Sequence, residues 1–129
     1  MNTRNFVINA LQHVIGNPEH DAKLLEHYFS EKYQQRVNGV SLDYHQFVEH
    51  MALLKRHTKK MILNILALAS EDDTVFTQHH VDIEKSDGEQ CSFEVFANFT
   101  IKNNKIVSCV ELTRLLAGSS EDDDMGSRH

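Results

Sequence analysis

Residues 91–116 read CSFEVFANFTIKNNKIVSCVELTRLL, and this stretch decides the fold. From Cys91 to Ile101 the residues alternate, with Cys91, Phe93, Val95, Ala97, Phe99 and Ile101 on one side and Ser92, Glu94, Phe96, Asn98 and Thr100 on the other. A period of two marks a strand with one buried face, because successive side chains of extended chain point to opposite sides. Asn103-Asn104 then supplies a two-residue hairpin turn, since asparagine tolerates the positive φ such turns demand. Ile106 to Leu116 is the returning strand.

The turns set the register. A two-residue loop pairs Lys102 with Lys105, and uninterrupted pairing from there sets Phe99 against Ser108, Ala97 against Val110, Val95 against Leu112 and Phe93 against Arg114. Arg114 is then expected on the apolar face, while Glu111 points away from it and Cys109 lies on the opposite face with Asn98. Upstream, Val75 to Ile83 also alternates. A three-residue loop Ser86-Asp87-Gly88, with Gly88 left-handed, pairs Ile83 with Cys91, Val81 with Phe93 and His79 with Val95. His79 and Arg114 therefore share the expected helix-packed face, and His80, Glu94 and Glu111 the other. Met61 to Ala69 is mostly apolar and ends at the turn-forming Ser70-Glu71-Asp72-Asp73.

The first half has a helical period instead. Phe6, Val7, Ala10, Leu11 and Val14 make one face, with Thr3 as the expected N-cap and Gly16 as the stop. Pro18 opens a second helix lined by Leu24, Leu25, Tyr28 and Phe29. A short connection from Tyr33 to Val40 contains Gly39 and one or two extended pieces. Ser41 is expected to open a third helix whose Tyr44, Phe47, Val48, Met51 and Leu54 face the core. Three helices followed by a run of antiparallel strands is an α+β pattern.

The chain has 129 residues, 40% of them hydrophobic and 25% charged, which suits one globular domain with its own core. Residues 1–118 form the expected domain and 119–129 an acidic tail. The net charge is -6, but Glu121, Asp122, Asp123 and Asp124 supply four of those negatives and leave -2 for the rest. No basic face remains for nucleic acid. The longest apolar run, Ile65 to Ala69, is far below the ~18 residues a membrane helix needs, and no signal-type segment opens the chain, so a cytoplasmic location is expected. His45 and Glu49 lie outward on the third helix, and the two cysteines are expected on opposite faces, so neither a metal site nor a disulfide follows.

Several segments resemble the nuclear-transport-factor-2-like superfamily, and its SnoaL-like branch in particular. They are Glu71-Asp72-Asp73-Thr74-Val75, the hairpin Phe99 to Val107, and Glu111-Leu112-Thr113-Arg114-Leu115-Leu116, with Tyr33-Gln34-Gln35 in the helical half. The ending Asp122 to Arg128 looks like that of some bacterial members; a cloning remnant is the alternative. The resemblance implies a cystatin-like cone, in which a curved antiparallel sheet wraps three N-terminal helices and holds a small molecule against its concave face. It also implies a homodimer through the convex face, and relatives include ketosteroid isomerase and polyketide cyclases. Many SnoaL-like sequences carry histidine where this chain has Gln35.

Two functions stay open. In the first, the cone is an isomerase, cyclase or hydratase: His79 is the base, Arg114 stabilises negative charge, and Glu111 is the acid nearest the family's strand carboxylate. Tyr33, Gln35 and Tyr44 would orient a small, largely apolar ligand among Phe93 and Phe99, with no cofactor and no metal. In the second, the protein is a non-catalytic dimeric binding or interaction module, in which His79 is a structural core histidine and Arg114 is held by an internal acid. Glu111 facing away from the cavity favours the second.

Overall fold

A computed structural model describes residues 2–119. The acidic run Glu121–Asp124 lies outside the described residues. The order is α1 (Thr3–Ala10), continued by a π-helical turn (Leu11–Ile15), α2 (Ala22–Tyr28), β1 (Phe29–Val37), β2 (Val40–Asp43), α3 (Tyr44–Arg56), β3 (Thr58–Glu71), β4 (Thr74–Lys85), β5 (Gln90–Lys102) and β6 (Lys105–Ala117). The α+β expectation holds: three helices pack on one face of a six-stranded, curved, open sheet in the order β2-β1-β6-β5-β4-β3. One feature departs from the antiparallel expectation. β1 pairs with β6 in parallel, so the extended piece after α2 enters the sheet between β2 and β6.

The helices start one to four residues from the expected positions, because nearby side chains are better caps. Asn2 accepts from the Asn5 amide of α1, and Asp21 accepts from Lys23 and Leu24 at the start of α2. Asp43, not Ser41, begins α3. Its carboxylate accepts from the Gln46 amide while Gln46 Oε1 accepts from the Asp43 amide, a reciprocal pair that satisfies two orphan donors. Ser41 belongs to β2 instead.

The turns behave as read. Asn103 and Asn104 have φ of 51° and 61°, and Gly88 has φ of 89° with its amide donating to Lys85 O. The β4–β5 register is also as read, with Ile83 opposite Cys91, Val81 opposite Phe93 and His79 opposite Val95.

The β5–β6 register is not. Lys102 pairs with Lys105 and Ile101 with Ile106, but Thr100 then pairs with Ser108, so Val107 is an extra residue on β6. A β-bulge of this kind flips every later side chain to the other face and bends the strand. Beyond it Cys109 stands opposite Phe99, Glu111 opposite Ala97 and Arg114 opposite Glu94. The expected facings of Glu111, Cys109 and Arg114 are all reversed. The physical reason is burial: the bulge puts Cys109 inside at 1% exposure and lets Arg114 reach water at 68% side-chain exposure.

Candidate functional site

The site forms where the concave face of the sheet meets α3 and the end of the first helix. Alternation on three strands delivers polar groups there among apolar ones. β1 contributes Tyr33 and Gln35, β4 contributes His79, and β6 contributes Cys109, Glu111 and Thr113. α3 adds Phe47, Met51 and Leu54 from one face and, in the same stripe, His50. These side chains surround a cavity of about 100 Å³. Phe29, Tyr33 and Phe47 form one wall as a three-ring cluster with centroids 4.8 to 4.9 Å apart.

Parallel pairing of β1 with β6 places Gln35 beside Cys109, which gathers the polar end of the cavity. The Tyr33 hydroxyl donates to Gln35 Oε1 at 2.8 Å, and the Cys109 thiol donates to Glu111 Oε2 at 3.3 Å. Burial raises the Glu111 carboxyl from its ordinary 4.5 to about 7, with the thiol's hydrogen bond opposing part of that rise. The residue is half-buried overall, but its carboxyl belongs to the cavity wall. Burial also pushes the Tyr33 phenol and the Cys109 thiol well above their usual values, and the neighbouring Glu111 adds to both. At neutral pH the cluster therefore holds a neutral phenol, a neutral thiol and a carboxyl divided between its two protonation states.

His79 lies elsewhere on the same concave face, at 3% exposure. Its Nδ1 is 2.9 Å from Thr77 Oγ1. Burial lowers the imidazole to about 4, with His80 contributing, so it is uncharged near pH 7. Whichever nitrogen carries the proton, the Nε2 edge can still accept or donate one hydrogen bond.

Of the expected site residues, the structure brings Tyr33, Gln35, His79, Phe93, Phe99 and Glu111 together around the cavity. Tyr44 and Arg114 are not among its lining. Arg114 lies on the convex face, where Nε donates to Glu94 Oε1 at 2.8 Å. Glu94 there also accepts from Gln78 and meets His80, and these hydrogen bonds, with His80 the strongest influence, hold its carboxyl down at about 2. The reading from sequence missed His50, Cys109, Thr77 and Thr113. His50 was visible in principle, three residues after Phe47 on the buried stripe of α3; Cys109 and Thr113 depend on the bulge. Among the described residues no group of three His, Cys, Asp or Glu side chains is placed to hold a metal ion.

No family model matches the chain. Over 107 residues it is 27% identical to an uncharacterized protein of Schizosaccharomyces pombe, covering 83% of this chain and 82% of that one. In three dimensions it is similar to IdmH of Streptomyces antibioticus, a candidate polyketide cyclase, with a TM-score of 0.73, 9% identity, and 88% and 92% of the two chains covered. A candidate SnoaL-like polyketide cyclase of Jannaschia sp. CCS1 superimposes with a TM-score of 0.72 at 11% identity, covering 86% and 84%. The fold is the SnoaL-like cone. Identities this low establish a backbone of the same fold as these structures and leave its chemistry to the side chains in the cavity.

Proposed function

We propose that the cavity binds a small, largely apolar carbonyl compound and that Glu111 moves a proton at the carbon next to the carbonyl, as an isomerase, cyclase or hydratase requires. The observation that carries this reading is the Glu111 carboxyl in the cavity wall, raised to about 7. A base whose proton affinity matches the working pH can both take and return a proton. As the carbon loses its proton, charge grows on the carbonyl oxygen. The uncharged imidazole of His79 can donate to that oxygen from Nε2 in one tautomer, with Thr77 Oγ1 hydrogen-bonding Nδ1. The base assigned to His79 on sequence grounds thus passes to Glu111. The candidate cyclases of the same fold are compatible with this chemistry. A carboxyl inside the cavity favours it over the non-catalytic module.

Cyclohexanone, acetophenone and 2-tetralone held in deuterated buffer test the reading, with loss of the α-proton signal followed by NMR. Wild-type protein should accelerate exchange of at least one ketone, and Glu111→Gln should return it to the buffer rate. No acceleration by wild-type protein, or full acceleration by the variant, rejects it.

The convex face supports a second element of the proposal, a homodimer. Phe76, Phe96, Val110 and Leu112 stand exposed on it, Leu112 by 67%. Between them Asn98 Oδ1 is buried without a hydrogen-bond partner among the described residues. A second copy would cover the apolar side chains and could supply that missing donor. No described helix is long and apolar enough to cross a membrane.

A further inference from the structure

The bulge at Val107 removes from the cavity the one arginine that uninterrupted pairing would have placed there. Among the described lining residues there is no lysine or arginine; the titratable ones are Tyr33, His50, His79, Cys109 and Glu111. Lys55, the buried cation nearest in sequence to the α3 lining, is committed elsewhere: its Nζ donates to Val14 O and to Glu19 O, tying α3 to the segment after the first helix. Arg114 is held on the convex face by Glu94. The cavity therefore offers a ligand one acidic group and no fixed positive charge. It also offers His79, a lining side chain 97% buried whose Nδ1 meets Thr77 Oγ1 and whose Nε2 edge can give or take one hydrogen bond.

From these two observations we infer that the cavity selects uncharged ligands with a polar atom for His79 and excludes carboxylates of the same shape. This inference rests on the reading of the cavity as a ligand site and specifies its substrate class. A buried carboxylate ligand would meet Glu111 with no lysine or arginine among the described lining residues to neutralise either group, and burial of an unpaired charge is far more costly than burial of a hydrogen-bonded neutral group. An amide or ketone of the same outline keeps the hydrogen bond and avoids that cost.

Isosteric pairs separate charge from shape. Binding of benzamide against benzoate, and of cyclohexanecarboxamide against cyclohexanecarboxylate, is measured by calorimetry at pH 8 on wild-type protein, Glu111→Gln and His79→Phe. The amide of at least one pair should bind at least about tenfold more tightly than its acid. Glu111→Gln should narrow that gap, and His79→Phe should weaken the amide. Acids that bind as well as their amides overturn the inference while leaving proton transfer by Glu111 to the ketone exchange experiment. An undiminished gap in Glu111→Gln, or unchanged amide binding in His79→Phe, overturns the part assigned to that residue. Absence of binding by either member of both pairs overturns the inference, and ketone exchange then decides separately whether the site reading falls with it.

Discussion

Glu111 stands opposite Ala97 on the concave face of the sheet, one position out of the register that an uninterrupted hairpin would impose. Val107 causes the offset, and the consequence extends along the whole of β6: carboxyl inside, guanidinium outside. Deleting Val107 removes the extra residue. Either the hairpin keeps its turn and buries Arg114 without a partner, or the pairing breaks. Both outcomes should cost on the order of 3 kcal/mol or more, read as a large drop in the midpoint of urea unfolding. A deletion variant of wild-type stability would contradict the bulge.

Two titrating groups of the cavity, Glu111 and His79, should pull stability in opposite directions as pH changes. Between pH 4.5 and about 7 the folded protein keeps a proton on Glu111 that the unfolded chain has released, so stability falls as pH rises. Between about pH 4 and 6.5 the unfolded chain carries a proton on His79 that the folded protein lacks, so stability rises. Each effect is roughly 3 kcal/mol in full, and across their shared window they largely cancel. Single variants should expose the hidden slopes. Thermal unfolding of His79→Gln should show a midpoint that declines from pH 5 to 7.5, and Glu111→Gln one that climbs from pH 4.5 to 6.5. Parallel profiles in the two variants would be incompatible with this balance.

Arg114→Ala should leave amide binding unchanged and reduce stability by no more than about 1 kcal/mol, as expected of an exposed ion pair. Glu94 keeps His80 and Gln78 as partners when the guanidinium is gone. Loss of ligand binding in this variant, measured by calorimetry, would return Arg114 to the cavity and reverse the account of β6.

The exposed apolar convex face should pair two copies at micromolar concentration, as seen by sedimentation velocity. Phe96→Glu, which places a charge at the centre of that face, should yield a monomer with unchanged helix and sheet content. A wild-type protein that sediments as a monomer would remove the dimer.

What could be read from sequence was whatever local chemistry determines. The asparagine turn at 103–104, the Gly88 loop and the alternation of β4 and β5 are specified by residues adjacent in the chain, and all three occur as expected. The parallel pairing of β1 with β6 joins segments some seventy residues apart and leaves no local trace. The bulge left a faint one. Uninterrupted pairing put both Ser108 and Arg114 on the apolar face, a double violation of burial, whereas Ile106 and Cys109 three residues apart mark an inserted position. Five of the six cavity residues other than Glu111 and Arg114 that sequence nominated depended only on β1, β4 and β5 or on their neighbours: Tyr33, Gln35, His79, Phe93 and Phe99 line the cavity, and Tyr44 does not.

The Glu111 carboxyl of β6 lines the cavity with a proton affinity raised by burial to about 7. NMR titration of the Glu111 side-chain carboxyl carbon, assigned by comparison with Glu111→Gln, measures this directly. A midpoint near 7 is the expected result. A midpoint near the ordinary 4.5 would mean that the carboxylate is solvated or its burial offset by hydrogen bonds, and the proposed proton transfer at neutral pH would have to be abandoned.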